Sequence, residues 1–180
     1  VGLIWADAQA YADSPDKVIG RVSSYGVAPI DDVDSVRYNV IEMMRRARKD
    51  VVITSPYLIP GEAGLETFRT SVERYGVSYT LVTNSLAATD EPVVHTGYRR
   101  YRPEMLKLGM NLYELSPQKV SRSLRLGRFS TSIGRLHAKS AVVDKERVFI
   151  GSMNFDPRSD QHNTEMGLFI QSPALAQQML

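Results

Sequence analysis

Residues 137–154 read HAKSAVVDKERVFIGSMN: a histidine, a lysine two places on, an aspartate after four more residues, then a Gly-Ser-x-Asn turn. These residue types suit phosphodiester chemistry. Such a reaction needs a nucleophile at phosphorus, a proton for the leaving oxygen and positive charge on the non-bridging oxygens. Histidine can supply either of the first two, and lysine the third. Period-two alternation puts His137 and Lys139 on one face of a strand. Asp144, Lys145 and Glu146 form a polar turn between the apolar runs Ser140 to Val143 and Val148 to Ile150, which reads as a hairpin returning Ser152 and Asn154 to the histidine's end of the sheet.

The elements that must position this segment follow from periodicity. From Asp31 onward Val33, Val36, Val40, Met43 or Met44 and Ala47 keep helical spacing, with Arg45, Arg46, Arg48 and Lys49 at the end. Val51 to Ile53 is a short apolar run bounded by Ser55-Pro56, a buried strand. Leu65, Phe68, Val72 and Tyr75 predict a helix stopped by Gly76 in the left-handed position. Ser78 to Val82 predicts a further strand. Tyr98, Tyr101, Met105 and Leu108 share one helical face, but Pro103 predicts a kink or a late start. Asn111 to Leu115 reads as another strand. Strands alternating with helices imply βαβ units and a parallel core. Residues 117–135 read as a long functional or disordered loop. Strands at about 136–143, 147–151 and 164–170 follow without helices between them. The fold class expected is therefore α/β, a mixed and largely parallel sheet flanked by helices on both faces.

Composition sets the outer limits. The 180 residues, 43% hydrophobic and 23% charged, suit a single domain spanning 1–180. No apolar run has membrane-spanning length and no leader resembles a signal peptide, so membrane contact within this segment is expected to be peripheral. Without cysteine the sequence offers no disulfides or thiolate ligands, which fits a reducing compartment. No histidine and carboxylate cluster has metal-ligand spacing, and neither metal nor cofactor is expected. A net charge of +2 is low for a nucleic-acid binder, since each neutralised phosphate contributes to affinity. The chain opens at Val1 inside an apolar stretch, as an excised piece of a longer protein would.

The spacing of residues 137–154 closely resembles the signature of the phospholipase D superfamily. The extension FDPRSDQHNTEMGLFI at 155–170 is similar to the bacterial cardiolipin-synthase-like branch, and SPYLIPGEAG from Ser55 and VTNSLAATDEPVVHTGYRRYR from Val82 look like the approach to the second of the family's two catalytic motifs. The resemblance implies a phospholipase D-like α/β/α sandwich. It also implies a metal-free reaction in which one histidine forms a phosphohistidine and a second protonates the leaving alcohol. Lys139 and Asn154 would hold phosphate oxygens, Ser152 would add a hydroxyl or organise the turn, and Glu165 would orient the histidine. Asp144 belongs to the motif but reads as structural, because its hairpin position favours aspartate. As a second-motif histidine, His137 would be the general acid.

Other residues keep two readings. Arg158 and Ser159 support the site loop in the resembling branch, yet Arg158 could instead pair with Asp156 or Asp160. Tyr57, at the carboxyl edge of a strand, lines a substrate channel or packs in the core. Arg122, Arg125, Arg128 and Arg135 form a phosphate-attracting rim or a solvated loop. Arg99, Arg100 and Arg102 read as a solvated face, Met43, Met44 and Met105 as core, and His95 and His162 as structural, with headgroup contact as the alternative.

Three functions compete. One is a phosphatidyltransferase of cardiolipin-synthase type, the second a hydrolase of the same superfamily acting as lipase or nuclease, the third a half-site that binds phosphate but is inactive alone. His137 is the sole histidine in a His-x-Lys setting, so a two-histidine reaction needs a second half, from the same longer chain or a homodimer. The implied partner is phospholipid, at the cytoplasmic face of a bacterial inner membrane.

Overall fold

In a computed structural model of the protein, residues 2–19, 33–117 and 135–180 are described. Arg122, Arg125 and Arg128, the loop they belong to, and the proposed helix start at Asp31 lie outside these residues. The elements are β1 (Asp7–Ala12), α1 (Asp16–Ile19), α2 (Val36–Arg45), β2 (Asp50–Thr54), α3 (Gly61–Tyr75), β3 (Ser78–Asn84), α4 (Pro92–Lys107), β4 (Asn111–Leu115), β5 (Ser140–Val143), β6 (Arg147–Gly151), α5 (Pro157–Gln161), β7 (Met166–Gln171) and α6 (Pro173–Met179).

The strands form one seven-stranded sheet in the order β1-β7-β6-β5-β2-β3-β4. Parallel pairing joins β2 to β3 and β3 to β4, the core that the strand and helix alternation implies. All other neighbours are antiparallel. The sheet is mixed, as expected, but its parallel share is confined to these two ladders. The hairpin turns and short connections after Ser140 can reverse the chain without a crossover.

Local sequence explains the helices that flank this sheet. Ser35 caps α2 by accepting from the Tyr38 amide at 3.1 Å, which fixes its start later than the apolar spacing suggests. Gly76 closes α3 at φ 67°, the left-handed position predicted for it. Helix α4 runs from Pro92 through Pro103 to Lys107, so it starts early rather than late. Pro103 costs it one backbone bond, but Tyr98 and Met105, on either side, are buried in the core.

Val36, Val40 and Met44 of α2, Leu65 and Phe68 of α3, and Tyr98 and Met105 of α4 join one core with Val51, Ile53, Leu81 and Phe149 from the sheet. On the opposite face Val142, Val148 and Ala176 form a small cluster under α6. Helices thus lie on both faces, but among the described residues the second face is only thinly covered. Ile150, Leu168 and Met166 stay open there at 41%, 45% and 64% exposure.

Candidate functional site

The segment carrying His137 and Lys139 reaches the sheet before any ladder begins, because β5 starts at Ser140. The sequence expectation of a strand from 136 is corrected here. What holds the lead-in is Asn84, at the end of β3. Its amide Nδ2 donates to the Leu136 carbonyl at 3.1 Å, and its Oδ1 accepts from the Leu136 amide at 3.0 Å. A buried side chain thereby supplies both bonds of a missing strand neighbour. One residue on, His137 is exposed, and Lys139 is half-buried with its ammonium donating to the His137 carbonyl at 2.9 Å.

Lys139 is held by charge as well as by geometry. Burial pushes its ammonium below the ordinary lysine value, and Glu165, Asp90 and Asp156 only partly offset that. An ammonium partly withdrawn from water and incompletely balanced will attract an anion that can approach it.

The Gly-Ser-x-Asn turn is brought alongside by β6. Gly151 faces Gly167 across the β6–β7 ladder, and a Cβ on Gly151 would lie 2.6 Å from the Met166 carbonyl and 2.8 Å from the Phe149 ring. Only glycine permits that approach. Ser152 then donates to the Glu165 carboxylate at 2.5 Å and accepts from the Met166 amide at 3.0 Å. Glu165, buried, sits immediately before β7 rather than within it. In this geometry its carboxylate is bonded to Ser152 and not to the His137 ring. Asn154 is fixed through its backbone, which donates to Ser159 Oγ at 3.2 Å, while its Oδ1 is buried without a partner. An oxygen orphaned in this way lacks a donor, and rotating the amide puts the Nδ2 donors in its place.

Ser159 is placed by α5, whose cap is Asp156: Oδ1 accepts from the Arg158 and Ser159 amides, each at 2.9 Å. Burial pushes the Asp156 carboxyl up, helped by the charge of Glu165 and opposed by those two amides. The Arg158 side chain is exposed, and Asp160 pairs with Arg37 rather than with it. Ser55, fully buried after β2, ties the turn to the parallel half. It donates to the Tyr57 carbonyl at 2.6 Å and accepts from the Phe155 amide at 3.2 Å.

Tyr57 does sit at the carboxyl edge of β2, half-buried, and donates to Asp90 at 2.9 Å. Burial, then the Asp90 bond and charge, push its hydroxyl up to about 12. Asp90 is held below the usual aspartate range chiefly by that hydrogen bond, with Arg135 and His137 adding to the effect. Arg135 approaches Asp90 at 4.0 Å. His137, Lys139, Tyr57, Asp90 and Arg135 therefore share one electrostatic neighbourhood.

Asp144 belongs to the other end of the hairpin. It turns the chain at φ 55° with Lys145 at φ 60°, and its carboxylate accepts from the Arg48, Lys49 and Asp50 amides and from Arg147 at 2.5 Å. Burial raises its pKa, but those donors outweigh it and the net direction is down. His95 packs edge-on against Tyr98, and the His162 amide closes α5. Arg102 is less solvated than expected, since it shares Glu114 with the Tyr98 hydroxyl.

Asn84, Ser55, Asp90 and Asp13 are the site neighbours that motif spacing does not reveal. Their signal is positional. Asn84 and Ser55 end or follow parallel strands, where ligands gather in open α/β sheets. No group of histidines and carboxylates among the described residues is arranged to hold a metal, and no described helix is long and apolar enough to cross a membrane.

The family model described as "Cardiolipin synthase, PLD-like domain" matches residues 40–180. The chain is 40% identical over 177 residues to cardiolipin synthase C of Escherichia coli, covering 97% of this chain and 36% of that protein. It is 30% identical to cardiolipin synthase A of Pseudomonas fluorescens, covering 84% of this chain and 28% of that one. The chain thus spans about a third of the length of such relatives. Among solved structures, Nuc from Salmonella typhimurium, a phospholipase D family member, superposes with a TM-score of 0.63 at 17% identity, covering 97% of this chain and 90% of that one. Phosphatidylserine synthase from Haemophilus influenzae gives a TM-score of 0.63 at 15% identity, covering 96% of this chain and 37% of that one.

Proposed function

We propose, from the premise that this chain belongs to the phospholipase D-like family of cardiolipin synthases, that it is one catalytic half of a phosphatidyltransferase. The observation that carries the reading is the under-balanced Lys139 ammonium beside exposed His137 and the open amide of Asn154. A phosphodiester offers the negative charge that Lys139 lacks and, to an Asn154 amide turned to present Nδ2, an oxygen that accepts from it.

In this scheme a histidine of the second half attacks phosphorus, giving a phosphohistidine and an alkoxide leaving group. His137 donates the proton that the alkoxide needs, then accepts one from the glycerol hydroxyl of a second phospholipid as that hydroxyl takes the phosphatidyl group. Lys139 and Asn154 hold the non-bridging oxygens as charge grows on them. Ser152 and Glu165 order the turn and bear on the histidine. Tyr57, Arg135 and Arg158 border the substrate, while Asp144 maintains the hairpin. The bare row of Ile150, Leu168 and Met166 supports a second half packing beside His137, with phospholipid met peripherally at a bacterial membrane surface. Hydrolysis is the second reading, because water can accept the same intermediate.

The test uses the complete protein. His137→Ala should abolish turnover of phospholipid but spare part of the reaction with a nitrophenyl phosphodiester, whose leaving group needs no proton, and should let the phosphohistidine be trapped. Equal loss on both substrates without a trapped intermediate would make His137 the nucleophile. Mass spectrometry of products from mixed phospholipids separates transfer from hydrolysis. The isolated 180-residue chain should fold yet turn over nearly nothing, and full activity as a monomer would end the half-site reading.

A further inference from the structure

Before the first residue of the family match, at position 40, the chain places a buried ion pair against the site. Asp13 directly follows β1, and its side chain is 1% exposed. Its Oδ1 accepts from the Val36 amide at 3.0 Å, where α2 begins. Its Oδ2 accepts from the Glu165 amide at 3.1 Å and from Lys17 Nζ at 2.5 Å. The Asp13 amide in turn donates to the Glu165 carbonyl at 2.8 Å. Both backbone groups of Glu165 are therefore held by one residue 152 positions away. Lys17, 10% exposed at its side chain, also donates to the Ser159 carbonyl at 3.0 Å, and Ser159 Oγ holds the Asn154 amide.

The β1–β7 ladder pairs Ala12 with Met166, so Asp13 and Glu165 would form its next rung. There the strand gives way to a side chain: Glu165 donates to the Asp13 carboxylate instead of to a carbonyl. A ladder bond would let Glu165 follow the sheet. A carboxylate shared with α2 and Lys17 ties it to three segments instead.

We infer that Asp13 and Lys17 are positioning residues, Asp13 setting the placement of Glu165 and Lys17, through Ser159, that of Asn154. This rests on the reading of Glu165 as part of the catalytic apparatus. A buried carboxylate holding three donors cannot lose one acceptor cheaply, and an error of an ångström at a reacting group costs on the order of a hundredfold in rate.

The experiment is a double-mutant cycle in the complete protein. Asp13→Asn keeps the shape but turns an amide toward donors that met oxygen. It should lower kcat by roughly ten- to a hundredfold with KM little changed. On a Glu165→Gln background, itself down by roughly two orders of magnitude, the same change should cost less than about twofold more, because the residue it acts through is already disabled. Equal loss on both backgrounds would overturn the inference alone, since it would show a general structural effect. Wild-type turnover in Glu165→Gln would overturn the reading of Glu165 and the inference with it. If Asp13→Asn does not fold, Lys17→Met carries the test, because it leaves both Asp13 bonds to Glu165 in place. The unpaired Asp13 carboxylate should lower the Tm, so turnover is read per folded molecule, where kcat should fall by about three- to tenfold, with Lys17→Arg restoring most of both. Wild-type kcat in Lys17→Met would overturn the clamp.

Discussion

The two ends of the β5–β6 hairpin make an instructive pair, because one sequence motif supplies a charged residue to each. At the Asp144 end the carboxylate meets three backbone amides and Arg147, and its charge is fully answered within the protein. At the Lys139 end the half-buried ammonium is only partly balanced by nearby carboxylates, and Asn154 keeps a buried oxygen without a partner. A saturated group stabilises the fold and has nothing left to offer a ligand. An unsaturated one leaves the fold poorer and a substrate better bound. On the function proposed above, the contrast gives stability to Asp144 and binding to Lys139 and Asn154, although spacing alone treats all three alike.

The strongest way to break that contrast is Lys139→Met, which retains the apolar stem and removes the charge. Turnover should fall by roughly three orders of magnitude if the ammonium stabilises developing charge, while the denaturation midpoint should hold or rise, because a half-buried cation only partly balanced by carboxylates is gone. A clear loss of stability with turnover intact would reverse the assignment.

Asn84→Leu sharpens the same comparison. It removes the clamp on Leu136 and strands two backbone groups, so turnover should fall by roughly ten- to a hundredfold and stability by about 1 to 3 kcal/mol. Activity assays and urea titrations on the same samples separate the two losses. Unchanged kcat would show that the His137 lead-in needs no lateral support.

The smallest kinetic effect belongs to Asp144→Asn. Turnover per folded molecule should change less than about twofold, whereas stability near neutral pH should drop by about 2 kcal/mol, the scale of lost hydrogen bonds to a charged group. The carboxyl is held down in the folded state. Its stabilisation is therefore present above the ordinary aspartate value of about 4 and disappears as pH falls through the depressed one. Denaturation midpoints of wild type and variant should converge in acid, and a constant gap across that range would refute the charge as the cause.

How much of this was legible in advance depends on whether the determining contact is local. Helix α3 and its Gly76 stop follow from nearest neighbours, and so do the parallel strands β2 to β4. The motif positions were legible too, because their spacing is carried by one hairpin. Strand β1 was not: in DAQAYA the alternating apolar residues are only alanines, too small to mark a buried face, and pairing with β7 makes it a strand. Pro103 misled for the same reason, since burial of Tyr98 and Met105 outweighs its lost bond. Asn84 meets Leu136 across 52 positions and Asp13 meets Glu165 across 152. Only the completed sheet brings such pairs together, so no periodicity announces them.

Gly151 and Gly167 lie opposite each other with the Phe149 ring over both, and a Cβ on Gly167 would come within 2.4 Å of that ring. The bulk of one side chain and the emptiness of two others are thus a single volume divided among three positions. Variation at Gly167 is bound to be concerted, since a side chain there requires a smaller residue at 149, whereas Gly151 is also barred by the Met166 carbonyl, which no change at Phe149 removes. The freedom of the Gly-Ser-x-Asn turn to drift is in this way rationed by a phenylalanine buried in the core beneath it.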